Sequence, residues 1–443
     1  MSWLAESLIR LLRGKAGEAA VVVRESEEYL IRFANDEVTV ADSWRSYEAG
    51  VYLAKGRRVA VAGFSGSSED ILRQALSLAE ALDKYPEDPY YVPLSPKGPR
   101  PFPNAARPFD LNKALDLVWE AIQAARAEGA ERSAGALSYA VRSTHYADSL
   151  GNSMSYKDSA AVGVIRAFIG RDLAATWAAA SRDYLSLGLK EAGARAASIA
   201  GAAKGLPLTR LENGNYRVLM SGLVLGHLMG YVISAWSSAL NVLTGVSKYG
   251  PNDLGSEAAS SLLTVYDLSL KEDRVGSAPF DYEGNPTNDT PVFEKGVLKS
   301  FLHNNRTAAK LGVSSTGNAA GPGGWTSPAP RHIGVAPGDM ASDLDDALKE
   351  LGKGVYIHNN WYTRFQNIRE GVFSTVGRDV ILVVEGGAPK YRARGVRIAE
   401  RFDSLLRGVE ALSKSAEQIH WWDMPYPATA PALALYGSLA LAY

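Results

Sequence analysis

The stretch from Glu18 to Phe64 reads EAAVVVRESEEYLIRFANDEVTVADSWRSYEAGVYLAKGRRVAVAGF. It contains five short runs that are apolar or alternating and rich in Val and Tyr: Ala19–Val23, Tyr29–Phe33, Glu37–Val40, Gly50–Ala54 and Val59–Phe64. β-Branched and aromatic side chains at period two suit a pleated surface with one buried face. Asn35-Asp36 and Lys55-Gly56 supply residues that tolerate tight turns. The stretch therefore reads as an antiparallel meander.

Helices flank it on both sides. Met1 to Arg13 places Trp3, Leu4, Leu8, Ile9 and Leu12 at helical spacing, interrupted by Glu6 and Arg10, with no small-residue cleavage site after it. This reads as an amphipathic helix rather than a secretory leader. Glu69 to Lys84 puts Ile71, Leu72, Ala75, Leu78, Ala79 and Leu82 on one face. Tyr85 to Phe109 then carries eight prolines in 25 residues, which forbids helix or central strand. Its six large apolar or aromatic side chains, Tyr85, Tyr90, Tyr91, Val92, Phe102 and Phe109, suggest an extended connector lying over a surface.

Further on, Asp110 reads as the N-cap of a helix over Leu111–Glu128 that stops at Gly129. Strands are expected at Ala136–Arg142 and Ala160–Phe168, and an alanine-rich helix over Glu191–Ala203. From Asn215 strand signals dominate: Tyr216–Met220, Ser261–Leu268, Pro291–Glu294, Val297–Leu302, Arg331–Val335, Val355–Asn359, Val380–Val384 and Arg392–Ile398. Lys295-Gly296 reads as a hairpin turn. Helices are expected near Leu223–Leu240, Thr307–Leu311, Asp343–Leu351 and Glu400–Ser413. The fold class is α+β. The expected organisation is an N-terminal helix–meander–helix lobe (1–84), a connector (85–109), a central α/β lobe with a mostly antiparallel sheet (110–208), and a β-rich, barrel-like C-terminal domain (209–443).

Composition narrows the function. The 443 residues carry 47 Lys+Arg against 48 Asp+Glu, so the basic footprint of a nucleic-acid binder is missing. There is no cysteine, which excludes disulfides, thiolate nucleophiles, iron–sulfur clusters and Cys-containing zinc sites. No uninterrupted apolar segment is long enough to span a bilayer. A cytoplasmic address is the simplest expectation.

The six histidines, His145, His227, His303, His332, His358 and His420, are far apart, and no two share a helix turn as a helical metal site requires. Neither a G-x-S-x-G elbow nor a P-loop is present; Gly63-Phe64-Ser65-Gly66 and the glycine-rich run Thr316–Gly324 lack the required residues. The glycine-rich run reads as a mobile surface loop, or as a loop beside a substrate channel. Asp339, Asp343, Asp345 and Asp346 cluster at a helix start, where acidic residues complement the helix dipole. Trp421-Trp422 is a large apolar commitment that reads equally as core closure or a subunit contact.

Three segments, in this order and spacing, closely resemble the TldD/PmbA family, named for modulators of DNA gyrase and understood as peptidase subunits. They are Gly276-Ser277-Ala278-Pro279-Phe280-Asp281-Tyr282-Glu283-Gly284; Gly296-Val297-Leu298 with Asn305-Arg306-Thr307-Ala308-Ala309-Lys310-Leu311-Gly312; and Ser315-Thr316-Gly317-Asn318-Ala319. Glu48-Ala49-Gly50-Val51-Tyr52 before Lys55-Gly56-Arg57-Arg58, and Gly395-Val396-Arg397-Ile398-Ala399 near the end, are similar too. His332, Asn359-Asn360-Trp361 and Trp421-Trp422 match no motif of the family.

The resemblance implies a branch. TldD-like members carry an H-E-x-x-x-H helix whose histidines bind zinc and whose glutamate is the general base, with a late cysteine completing the site. TldE-like members carry G-H-L-x-G there. This chain reads Leu225-Gly226-His227-Leu228-Met229-Gly230-Tyr231 and resembles the TldE branch. Aligned on Gly230, Gly226 and Tyr231 stand where the zinc histidines would be, and His227 stands in place of the glutamate. The resemblance thus implies no catalytic residue, no metal ligand and no cofactor in this chain, with zinc in a catalytic partner. It implies a non-catalytic subunit of a zinc metallopeptidase that handles unfolded or short peptides, paired with an H-E-x-x-x-H subunit or with itself; the balanced charge and the lack of a long apolar segment add the expectation of no nucleic-acid and no membrane partner. Two other readings stay open. One is a stand-alone hydrolase with a displaced site at His227, His303 and a carboxylate. The other is a homodimeric peptide-binding scaffold.

Overall fold

The computed structural model of the chain describes residues 3–103 and 106–443. Met1 and Ser2 of the N-terminal helix reading, and two residues of the connector, lie outside the described residues. The opening stretch forms three long strands, β1 (Glu18–Ala34), β2 (Glu37–Lys55) and β3 (Arg58–Ser65). The first turn rests on Asn35 and Asp36 at φ 51° and 63°, and the second includes Gly56 at 60°; such turns follow the twist of the strands they join. The sequence divides this stretch into five runs because residues 39–45 of β2 are all exposed. With both faces in solvent there is no alternation to read, yet every one of these residues has a partner on β1 or completes the ladder beside it.

Three more strands, β4 (Arg132–Asp148), β5 (Ser153–Ile169) and β6 (Leu173–Ser181), complete one antiparallel sheet in the order β3-β2-β1-β4-β5-β6. Residues on either side of the proline-rich connector therefore share a sheet, joined where β1 pairs with β4. Strand β6, LAATWAAAS, is invisible to propensity because alanine is a poor strand former. Pairing with β5 and burial of Trp177 place it there.

The two faces of the sheet bury different things. Val21, Val23, Val51 and Leu53 face Leu4, Leu8 and Leu12 of α1 (Trp3–Leu12) and Ile71 and Ala75 of α2 (Ser68–Ala81). Val22, Tyr52 and Tyr146 face Phe280, Tyr282 and Trp325 from the C-terminal half. Farther along, α3 (Leu111–Ala127) and α4 (Leu189–Gly201) pack together over β5 and β6. Asp110 caps α3 by accepting from the Asn112 and Lys113 N–H groups. A Cβ at Gly193 would meet the Ala121 carbonyl oxygen at 2.3 Å, so the two helices approach as only glycine allows. The described part of the connector is tied down: Lys97 and Gly98 N–H groups donate to the Gly284 carbonyl, and Phe109 stacks on Tyr29 at 4.2 Å.

In the C-terminal half, the strand Gly354–Asn367 pairs in parallel with Gly214–Ser221, which pairs with Leu433–Ala442. That strand pairs with Arg397–Arg401, then Val372–Glu385, which returns to Gly354–Asn367. The circuit closes into a small barrel, from which Ala388–Ala393 and Leu208–Thr209 continue the sheet. A second sheet of short strands, including Val265–Leu268, Ile333–Val335, Ala428–Pro431 and Ala416–Ile419, packs beside it. The chain is thus α+β, with an antiparallel N-terminal sheet and a barrel-containing C-terminal region.

Several boundaries differ from the sequence reading. Gly395, at φ 69°, divides the expected strand Arg392–Ile398 into Ala388–Ala393 and Arg397–Arg401. The helix expected over Glu400–Ser413 shrinks to Phe402–Arg407, because Val409–Leu412 pairs with Leu433–Ala442. The helix expected over Leu223–Leu240 stops at Trp236, where the Ser237 hydroxyl caps the Ile233 carbonyl. No helix among the described residues is long and apolar enough to cross a membrane.

Candidate functional site

Helix α5 (Gly222–Trp236) carries the segment in which the family resemblance places its chemistry. Every residue of α5 except Tyr231 and Ser234 is buried, as expected of a helix that is apolar all round. Its start is fixed where the Gly222 N–H donates to the Ala432 carbonyl and the Ser221 hydroxyl to the His358 carbonyl.

Gly226 and Gly230 form a flat face one helical turn apart, and the segment Ile419–Ala428 lies against it. A Cβ at position 226 would meet Ala428 Cβ at 3.0 Å, Ile419 Cδ1 at 3.1 Å and Met424 Cε at 3.3 Å. One at position 230 would meet Pro425 Cγ at 3.0 Å. The space a larger side chain would need at 226 is filled by the chain's own C-terminal segment.

His227 is fully buried. Tyr231 lies beside it with ring centroids 5.3 Å apart, and Trp421 meets it edge-on at 6.3 Å. Neither ring nitrogen has a hydrogen-bond partner of normal geometry among the described residues. The nearest carboxylate oxygen, Asp423 Oδ2, is 3.9 Å from Nε2. Burial pushes the imidazole down to about 4, with the Asn360 side chain opposing only in part, so the ring is neutral near pH 7. Burial also raises the Asp423 carboxyl and the Tyr231 phenol, the latter with help from Asp423. Asn360 and Trp421, which matched no family motif, thus surround this histidine. Their distance along the chain hid the grouping.

These donors do not fit a zinc ion. A catalytic zinc takes three protein ligands and keeps a fourth position open. Gly226 offers no donor, and a neutral phenol is a poor ligand. Among the described residues no three His, Asp or Glu side chains are grouped to hold a metal.

The other histidines separate into bonded and unbonded rings. His358 donates from Nε2 to the Thr176 carbonyl at 2.6 Å and faces the Tyr356 hydroxyl with Nδ1 at 3.2 Å, bridging β6 to the barrel. His332 donates from Nδ1 to the Val275 carbonyl at 2.9 Å and accepts at Nε2 from the Thr429 hydroxyl at 2.8 Å. His303 contacts Thr316, Ser315 and Asn318 through its backbone and shares no partner with His227. In the family-like segment, Asp281 and Glu283 are buried together. Burial lifts Asp281 to about 6 and Glu283 well above its ordinary value, the neighbouring Asp281 adding to the second shift. Within the glycine-rich run, Gly317 and Gly324 are packed against backbone at Pro286 and Ala319. Asp343 is a helix cap, accepting from the Asp345 and Asp346 N–H groups. The tryptophan pair divides: Trp421 is buried and Trp422 is 68% exposed.

One feature has no sequence signal. Two adjoining cavities, of about 330 Å³ and 250 Å³, lie on the N-terminal sheet and share Ser143, His145 and Lys157. Glu25, Glu27 and Arg45 line one end, and Arg100, Phe102 and Pro103 of the connector wall the other. Ser143 and Lys157 are cross-strand partners, which brings them together despite their separation in sequence. The His145 ring is held below its usual value by burial and by Lys157.

The chain joins an antiparallel sheet to a closed barrel, with a glycine-faced helix packed between the barrel and the second sheet of short strands. A family model described as the PmbA/TldA metallopeptidase C-terminal domain matches residues 213–437, and one described as PmbA/TldA metallopeptidase domain 1 matches residues 19–83. The chain belongs to the PmbA/TldD metallopeptidase family. A metalloprotease PmbA homolog of Haemophilus influenzae is 26% identical over 188 residues, 42% of this chain and 39% of its own length. A metalloprotease of Methanocaldococcus jannaschii is 26% identical over 206 residues, 46% of this chain and 44% of its own. A metalloprotease TldD homolog of Buchnera aphidicola is 32% identical over 108 residues, 24% of this chain and 22% of its own. The chain spans less than half the length of these curated relatives in the matched regions. The crystal structure of TldE from Thermococcus kodakarensis superposes with a TM-score of 0.85 over 99% of this chain and 100% of that one, at 19% identity. A candidate modulator of a DNA gyrase from Thermotoga maritima gives 0.78 over both whole chains, at 23% identity. These two establish the fold.

Proposed function

We propose that this chain is the non-catalytic, TldE-like subunit of a cytoplasmic zinc metallopeptidase pair whose partner carries the H-E-x-x-x-H helix and the metal. The observation that carries the reading is the packing of Gly226 against Ala428, Ile419 and Met424. The place of a first zinc ligand is filled by apolar side chains, while the helix that would bear it is kept. The cavities over β1, β4 and β5 are the surface for an extended peptide: an open sheet face walled by an extended, proline-rich segment suits an unfolded or short substrate.

Affinity purification of the chain from its native cells, followed by peptidase assays with and without chelator, tests this. The expected result is a stoichiometric H-E-x-x-x-H partner and chelator-sensitive hydrolysis by the pair alone. Chelator-sensitive hydrolysis by the isolated chain would overturn the reading in favour of a stand-alone enzyme. Recovery of the chain only with copies of itself would favour the scaffold reading.

A further inference from the structure

A cavity of about 480 Å³ opens where the β5–β6 hairpin meets the barrel strand Val372–Glu385. Its wall carries Arg132, Arg166, Arg171, Arg378, Arg392 and Arg394 against two carboxylates, Asp172 and Asp379. That leaves a local surplus of positive charge in a chain whose net charge is −1.

Both carboxylates are already engaged. The Asp379 carboxylate, fully buried, accepts from Arg166 Nη2 at 2.5 Å and from the Thr176 hydroxyl at 2.7 Å. Asp172 pairs with Arg392 at 2.7 Å and Arg394 at 3.1 Å. Arg132 and Arg171 make no ion pair among the described residues, and Arg378 comes no nearer than 3.9 Å to Asp379. Burial holds the Arg378 guanidinium below its usual proton affinity, with Asp379 opposing and Arg166 adding to the effect. The Arg378 side chain is only 20% exposed, and holding such a cation without a close carboxylate is destabilising, whereas Arg132 and Arg171 keep their charges in solvent at the mouth of the cavity.

Three of these guanidiniums, those of Arg132, Arg166 and Arg378, are also held in place. Phe168 carries Arg132 at 4.4 Å and Arg166 at 5.1 Å from its ring centroid, and Trp361 carries Arg378 at 4.2 Å. Stacking fixes the plane of each fork and so the direction of its N–H donors. Planar donors set in advance suit a phosphate, which accepts two parallel bonds from each fork. The volume falls in the range of small-molecule sites. We propose that this cavity binds a small polyanion bearing phosphate groups, with Arg132, Arg171 and Arg378 as its principal donors. The ligand bridges the N-terminal sheet and the barrel, because Arg132 lies on β4, Arg171 in the β5–β6 turn and Arg378 on the barrel strand Val372–Glu385. This site is separate from α5 and does not rest on the subunit reading.

Isothermal titration of the full chain with inorganic pyrophosphate at constant ionic strength tests the proposal, with sulfate and a glutamate-rich peptide as comparison ligands. The expected result is saturable one-site binding, weaker for both comparison ligands. Arg378→Gln and Arg171→Gln should each weaken it by about tenfold, and Arg171→Lys by less. Arg171 has no ion pair to lose, so its variants keep the fold and separate a binding loss from unfolding. Absence of saturable binding, equal affinity in Arg171→Gln and the parent chain, or tighter binding of the peptide than of pyrophosphate would each overturn the proposal.

Discussion

Gly226 on α5 lies against Ala428 so closely that a Cβ at 226 would stand 3.0 Å from the alanine Cβ. Restoring a histidine there therefore means overpacking a filled seam. Gly226→His should lower stability by about 1–3 kcal/mol or more, and the purified variant should still hold no stoichiometric zinc. Gly226→Ala should be milder, because the facing atoms are side-chain methyls that can shift. Denaturant melts and metal analysis of the three proteins check both statements.

His227 is buried with no hydrogen bond of normal geometry among the described residues, only the weak approach of Asn360 and of Asp423 Oδ2 at 3.9 Å, so its ring nitrogens contribute little stability. Replacing it by leucine removes two desolvated nitrogens, so His227→Leu should change stability by less than about 1 kcal/mol in either direction. If the proposed pairing with an H-E-x-x-x-H subunit holds, the variant should leave the peptidase rate of that pair unchanged. A rate loss of a hundredfold in a variant that melts normally would instead give His227 a role in the chemistry.

Acid should destabilise the fold well above the ordinary carboxylate range. Burial depresses His227, His303, His358 and His420 to about 4 and His332 to about 3, from an ordinary 6.5. The folded chain then binds fewer protons than the unfolded one between pH 6.5 and 4, and stability falls as pH falls through that window. Asp267, Asp281 and Glu283 act with the opposite sign, since burial raises all three and the fold prefers them protonated. The five histidines outnumber the three carboxyls, so unfolding near pH 5 should take up protons and stability should rise with pH across this window. Urea melts across pH 4.5–7 measure it, and a flat profile would contradict it.

Asp379 couples the two halves of the chain, holding Arg166 and Thr176 of the N-terminal sheet from a barrel strand. It sits at φ 61°, beside a register shift in the Gly354–Asn367 and Val372–Glu385 pairing. Asparagine tolerates that backbone, so Asp379→Asn isolates the loss of charge. It should cost about 2 kcal/mol, and thermal unfolding should lose cooperativity between the halves.

Much of the fold was legible. The Val- and Tyr-rich runs and the Asn35-Asp36 turn marked the meander, and Asp110 marked the start of α3. What escaped was strand without a signature: residues 39–45, exposed on both faces, and the alanine-rich β6. The terminal strand Leu433–Ala442 also escaped, although it completes the barrel.

The residues that α5 carries at positions 226, 227 and 231 are legible in the sequence. Gly226 has no donor atom and Tyr231 only a phenol, so neither reproduces a histidine ligand, because coordination depends on the atoms each residue carries. Only the tertiary structure decided what fills the place instead. Packing brings Ala428, Asp423 and Asn360 to one helix face, and Arg171 to Arg378, from distant parts of the chain. Nothing local encodes such proximity: it exists only once the sheet and the barrel have buried their shared surface.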